Sequence, residues 1–276
     1  MRCGLIQMTS TDQPGENLEM AVDFVDQAVA GGAGFVLTPE VTNCVSGSRS
    51  HQTAVLTTEG KDPVLAGLRA RAAHHGIWML IGSLGLKVEG GDGRFANRSF
   101  VIAPDGQVAA RYDKIHMFDV DISETESYRE SEGYRPGDRA VVAQTPFGVL
   151  GLGICYDLRF AQLHRRLAKA GAEILTQPAA FSPETGRAHW EVLLRARGIE
   201  TGCYVLAPAQ TGQHPVSAGR PRATYGHSLA IAPWGEVLAD GGTDPGVVLV
   251  DIDRAEVAHA RRRVPAIHND REFSGP

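Results

Sequence analysis

The sequence predicts an α/β fold in one domain, 1–276, with two sheets packed face to face and helices outside. Three observations carry this expectation. Short apolar runs alternate with longer amphipathic stretches almost to the C-terminus. Two turn signals, Pro104-Asp105-Gly106 and Pro233-Trp234-Gly235, each separate a pair of extended segments, as hairpins do. No stretch is rich enough in Pro, Ser or charge to act as a linker. Pattern alone leaves a doubly wound sheet open as well.

The elements follow in order. Residues 3–8 (CGLIQM) form a buried strand. In 17–30, Leu18, Val22, Val25 and Val29 fall on one helical face, and Gly31-Gly32 stops the helix. A strand at 35–37 comes next, then a helix at 63–75 with Pro63 in its first turn and Gly76 beyond its end. Strands at 78–86 and 94–103 lead into the first hairpin. The segment 149–154 is a strand, 160–169 a helix closed by Gly171, and 173–177 a strand. A helix at 189–201 and a strand at 203–207 precede the second hairpin, 226–232 with 236–239. The last strand is 247–251, and Arg261-Arg262-Arg263 suits the C-terminal end of a final helix, where cations favour the helix dipole. The longest polar stretch, 119–139 with its acidic run 124–132, reads as a loop: a solvated excursion or part of a site.

Composition narrows the function classes. A formal charge of -5 gives neither a nucleic acid nor an anionic membrane anything to attract. No run approaches the roughly 20 apolar residues that span a bilayer, and the first ten residues turn polar too soon for a signal peptide. Cys3, Cys44, Cys155 and Cys203 are scattered, without CxxC pairs, so disulfides and structural zinc are not expected and a reducing cytoplasm is.

Three residues at element ends invite chemistry. Cys155, in Gly-Leu-Gly-Ile-Cys155-Tyr-Asp-Leu-Arg-Phe, lies where a strand ends and a helix is expected to begin. There a thiol is either exposed and stabilised as thiolate by the helix N-terminus, or simply a small buried hydrophobe. Glu40 ends Phe-Val-Leu-Thr-Pro-Glu40, at a sheet edge where α/β sites collect; its plain reading is an exposed loop acid. Lys114, in Tyr-Asp-Lys114-Ile-His, follows the first hairpin, and any one lysine is usually a solvated charge.

Together, these three segments resemble the glutamate, lysine and cysteine motifs of the nitrilase superfamily of carbon–nitrogen hydrolases, in the family's order and across essentially the whole chain. The resemblance implies a four-layer α-β-β-α sandwich that assembles as a homodimer or higher homo-oligomer. It implies Cys155 as nucleophile and Glu40 as proton carrier, with Lys114 and the Tyr156 backbone N–H receiving the oxyanion, and no metal or organic cofactor. Tyr128-Arg129-Glu130-Ser131 resembles the motif of an auxiliary glutamate, which assigns Glu130, with Glu124, Glu126 and Glu132 competing in the same run. Segments at 188–197 and 199–214 are similar to two branches, one acting on deaminated glutathione and the other ω-amidase. They lie closer to the first, with a departure at the Gly/Pro/Arg insert 217–222.

The expected partner is a small carboxylate-bearing amide. Arg159 is a candidate for holding that carboxylate, against a structural pairing with Asp157, and His189 is a candidate for lining the pocket. Trp190 reads as core, and a Cys–His dyad through His116 or His227 is disfavoured. Two other classes stay open: a catalytically silent binding protein, and a redox-sensing thiol protein with Cys44 or Cys203 as resolving cysteine.

Overall fold

A computed structural model describes residues 1–124, 126–269 and 271–275 of the chain, without the side chains of Ser123 and Glu126. Two six-stranded sheets form its centre. The first runs, in spatial order, Gly246–Asp251, Arg2–Gln7, Phe35–Leu37, Trp78–Leu86, Ala96–Ile102 and Val108–Asp113. The second runs Val142–Thr145, Gly148–Leu152, Ile174–Thr176, Tyr204–Ala207, Leu229–Ile231 and Val237–Asp240. Each has the same plan: one antiparallel edge strand, three parallel strands, and an antiparallel hairpin at the far edge.

Burial on both faces explains the layers. In the first sheet, Cys3, Leu5, Phe35, Leu37, Leu80 and Val101 join the core shared with the second sheet. Their alternating neighbours Ile6, Val36, Met79, Ile81, Phe100 and Ile102 pack with the helices Pro14–Ala30 and Pro63–His75 through Ala21, Val25, Leu65 and Leu68. Side chains alternate along a strand, so a central strand apolar at every position must be covered on both sides. Helices Ala161–Lys169 and Pro183–Thr201 cover the outer face of the second sheet, with Leu163, Leu167, Trp190 and Leu194 buried there. The result is the four-layer α-β-β-α sandwich, and Trp190 is core as expected.

Several local expectations change. The stretch 119–139 is not a bare loop: Asp119–Ser123 pairs antiparallel with Glu126–Arg129, and a short helical turn Glu130–Gly133 follows. The helix expected from 189 begins at Pro183, with Ser182 as cap accepting from the Thr185 N–H; serine followed by proline is a start signal the periodicity overlooked. The insert 217–222 caps an unforeseen hairpin, Thr211–His214 with Arg222–Tyr225. A short helix at Arg49–Val55 was also not foreseen. Beyond Cys155 the chain makes a 3-10 turn, Cys155–Arg159, before the α-helix starts at Ala161, so the thiol does not sit on an α-helix N-terminus. Among the described residues, no helix is long and apolar enough to cross a membrane.

Candidate active site

The ends of parallel strands from both sheets meet in one place. Glu40 follows Phe35–Leu37, Cys155 follows Gly148–Leu152, and Ala180 follows Ile174–Thr176. Lys114 comes directly after Val108–Asp113. The turn bearing Glu40 is stitched to its neighbour: the Val41 N–H donates to Ser83 Oγ at 2.8 Å, and the Thr42 N–H to the Ser83 carbonyl at 2.9 Å. It passes so close to Gly82 that a Cβ there would lie 2.0 Å from the Thr38 carbonyl oxygen and 2.5 Å from that of Pro39. Val41 (φ 47°) and Cys155 (φ 47°) both adopt the left-handed conformation, unusual for a β-branched residue and tolerated where surroundings over-determine it.

Glu40, Lys114 and Cys155 are 4%, 2% and 6% exposed, so neither Glu40 nor Lys114 is the solvated surface group that its plain reading allowed, and Cys155 is buried. Lys114 Nζ donates to Glu40 Oε1 at 3.0 Å and to Glu130 Oε1 and Oε2 at 2.9 and 2.8 Å. Glu130 also accepts from the Phe118 N–H at 2.7 Å. Within the acidic run it is the acid that reaches the lysine; Glu124 and Glu132 are exposed, and the Glu126 side chain lies outside the described residues. Glu40 further accepts from Asn97 Nδ2 at 2.9 Å and, on its other oxygen, from the Ala180 N–H at 2.9 Å.

Electrostatics assign the protons. Burial alone would raise the Glu40 pKa. The Lys114 ammonium, the Cys155 hydrogen bond and the Arg222 guanidinium outweigh it and hold the carboxyl below its usual value. Burial alone would lower that of Lys114, but Glu130 and Glu40 push it well above its usual value. Cys155 is pushed up, first by burial and then by the charge on Glu40, against a smaller opposing effect of Lys114. One ammonium facing two carboxylates leaves no net positive charge to stabilise a thiolate. These directions favour a resting thiol beside an ionised carboxylate over the thiolate that an α-helix terminus would stabilise, which was one of the two readings open to Cys155.

Asp157 organises the turn after Cys155. Its carboxylate accepts from Tyr112 Oη at 2.6 Å, from the Ile154 N–H at 2.9 Å and from the His116 N–H at 3.0 Å, and it lies 2.7 Å from His116 Nδ1. His116 is thereby engaged and stacks on Phe160, while His227 faces Asp240. The Tyr156 N–H has no backbone acceptor among the described residues.

A cavity of about 920 Å³ opens over the group, lined by Glu40, Lys114, Glu130, Cys155 and Tyr156, and by Arg49, Arg129, Arg187, Arg220 and Arg222. Arg159 and His189 do not line it. Their side chains face each other at 3.2 Å, and Arg159 does not pair with Asp157. The reason is geometric: the 3-10 turn carries Arg159 away from Cys155 towards the helix that bears His189. Asn97 and Ala180 went unread in the sequence. Asn97 stands in a polar run, Asn97-Arg98-Ser99, within its strand and was not singled out by it; Ala180 contributes only backbone and left none.

Comparison with known proteins agrees with this geometry. The family profile of carbon–nitrogen hydrolases matches residues 2–262. The deaminated glutathione amidase of Synechocystis sp. (strain PCC 6803 / GT-S) is 39% identical over 270 residues, covering 96% of each chain. Omega-amidase NIT2 of Homo sapiens is 34% identical over 270 residues, covering 98% of this chain and 95% of its own. The crystal structure of the C. elegans NitFhit protein superimposes with a TM-score of 0.89 at 34% identity, covering 98% of this chain but 65% of that longer chain. The chain belongs to the carbon–nitrogen hydrolase family.

Proposed function

We propose that this chain, acting as one domain 1–276, is a thiol amidohydrolase for a small carboxylate-bearing amide, with deaminated glutathione as the favoured substrate. The observation that carries the reading is the buried cluster of Glu40, Lys114 and Glu130 beside Cys155 in a single cavity. A silent binding protein would have no need to bury such a cluster, because burying charge is costly.

The chemistry follows from the protonation states. As the Cys155 sulfur bonds to the amide carbon, its proton passes to Glu40, which the surrounding charges keep ionised and ready to accept it. The carbonyl oxygen becomes an oxyanion. An ammonium has three N–H groups; with one shared between the two Glu130 oxygens and one directed to Glu40, the third serves that oxygen, with the Tyr156 N–H as second donor. Glu40 then gives its proton to the nitrogen, the C–N bond breaks, and an amine or ammonia departs. Water loses a proton to Glu40 and attacks the thioester; the C–S bond breaks, the thiol regains the proton, and a carboxylic acid leaves. Glu130 holds Lys114 in place throughout. The sequence of steps needs no metal or organic cofactor.

The substrate reading rests on the relatives named for deaminated glutathione and on a cavity near the upper end of the usual ligand range, roomy enough for a peptide-like amide. ω-Amidase activity is the second reading, favoured by the similarity to omega-amidase NIT2. The four cysteines are free thiols, in keeping with a cytoplasmic setting. Burial pushes Cys44 up to about 12, which argues against it as a resolving thiolate. Val192 and Ile199 on the outer helix Pro183–Thr201, and Trp234 and Leu238 on the hairpin beside it, are exposed and support a homo-oligomer through this face. Sedimentation of Val192→Glu/Ile199→Glu should show smaller particles than the parent chain; identical sedimentation would remove that face.

The deciding assay is α-ketoglutarate release from deaminated glutathione and from α-ketoglutaramate, with Cys155→Ser as control. Preference for the peptide-like amide, lost in the control, supports the first reading. Preference for α-ketoglutaramate moves the chain to the second. Release from neither overturns both.

A further inference from the structure

Arg222 opens the strand Arg222–Tyr225 and pairs across the ladder with His214. The hairpin is pinned where its ladder meets the loop, as the His214 ring meets the Ser10 carbonyl and the Thr224 hydroxyl at 2.8 Å each. It is pinned again at its tip, where the Ser217 N–H and hydroxyl donate to Asp12 at 2.6 and 2.7 Å. From this fixed support the Arg222 side chain enters the lining of the cavity that holds Cys155. Its Nη2 donates to the carbonyl of Ala180 at 2.5 Å. The N–H of that same residue donates to Glu40, so a single residue of backbone separates the guanidinium from the general base.

The guanidinium also lies over the Tyr128 ring, 5.7 Å from its centre, a contact that uses none of its N–H groups in the ring plane. Its Nε is buried with no hydrogen-bond partner, and no carboxylate among the described residues pairs with it. By contrast, Arg129 pairs with Asp121, and Arg49 donates to the carbonyls of Gly133 and Gly93. A buried donor without an acceptor is costly, and a guanidinium is shaped to receive a planar carboxylate at two points. Arg187 and Arg220 also line the cavity but are exposed, whereas the Arg222 guanidinium is held against the backbone of Ala180, whose N–H meets Glu40.

We propose that Arg222 binds a carboxylate carried by the substrate close to its scissile amide, and so makes the enzyme selective for monoamides of dicarboxylic acids over neutral amides. This rests on the amidohydrolase reading and names the residue that sets its substrate class.

The test compares ammonia release from glutaramate and from valeramide, its neutral counterpart, in the parent chain and in Arg222→Gln and Arg222→Lys. The preference for glutaramate should fall by about 10- to 100-fold in Arg222→Gln, mainly through KM. Arg222→Lys should fall between, because an ammonium reaches Ala180 but lacks the two-point geometry. A turnover-independent readout runs beside it: glutarate should slow alkylation of Cys155 by iodoacetamide, with apparent affinity weakened at least about tenfold in Arg222→Gln. An unchanged preference together with unchanged protection overturns the inference. Should both variants fail to fold, the parent chain decides: no discrimination between the amides and no protection by glutarate overturns it too. If neither amide is hydrolysed but protection is present and lost in Arg222→Gln, the amidase reading falls while the carboxylate site stands.

Discussion

Replacing Asn97 by leucine should move the acid limb of the activity profile upward. Asn97 Nδ2 donates to Glu40 Oε1 at 2.9 Å, whereas its Oδ1 is buried without a partner. Leucine is of similar size, so the change deletes one donor without opening a large hole and removes an orphaned acceptor at the same time. The Asn97 carbonyl, which accepts from the Lys114 N–H at 2.9 Å, belongs to the backbone and persists. A hydrogen bond to a charged group contributes about 1.5–3 kcal/mol, and one pKa unit corresponds to about 1.4 kcal/mol. Loss of this donor should therefore destabilise the carboxylate on that scale and raise the Glu40 pKa. The sign is set by which form the donor favours: it stabilises the carboxylate, so removing it makes Glu40 hold its proton to higher pH. As the proton acceptor Glu40 must be ionised, and kcat/KM should begin to fall at correspondingly higher pH. The assay is kcat/KM for a neutral amide against pH, so that ionisation of substrate does not intrude. An acid limb superimposable on that of the parent would refute the reasoning, because either Asn97 does not support the carboxylate or Glu40 is not the base.

Three further outcomes follow from particular contacts. Glu130→Gln weakens the hold on Lys114 and should lower kcat about 100-fold, the scale of a misplaced catalytic group, while the same exchange at exposed Glu124 should leave kcat nearly unchanged; equal effects would remove Glu130 from the site. Burial lowers the His214 pKa to about 4, below its reference of about 6.5, so the unfolded chain takes up the proton first. Stability should then decline as pH falls from about 6.5 to about 4, by roughly 3 kcal/mol, and urea midpoints of His214→Gln should decline less across that window if His214 is responsible. Gly82→Ala drives a methyl group into the Thr38 and Pro39 carbonyls and should cost about 1–3 kcal/mol or more, with activity falling as Glu40 is displaced; a variant of parental urea midpoint and activity would show that the turn yields.

The element pattern was legible because its causes are local. Alternation and helical spacing located the six parallel strands of the two sheets, and Gly76 and Pro63 bounded a helix within one residue of where it lies. The same reading failed where local pattern is silent. A polar surface hairpin at 119–129 has no apolar stripe to announce it, and the hairpin at 211–225 is held by contacts to Ser10 and Asp12 some 200 positions away.

The sequence by itself determined the family, the order of elements, and the placing of Glu40, Lys114 and Cys155 at element ends, since motif and periodicity are properties of neighbouring residues. Only the tertiary structure decided what those residues face. Glu40 meets Lys114 across 74 positions and the Ala180 N–H across 140. Whether Cys155 rests as thiol or thiolate depends on the sum of charges at those distances and on burial, neither of which is written along the chain. The same long-range packing turned Arg159 and His189 towards each other, away from the cavity, and brought Arg222 into it. A charge's role is set by the partners and the dielectric around it, and these exist only once the two sheets have closed on each other.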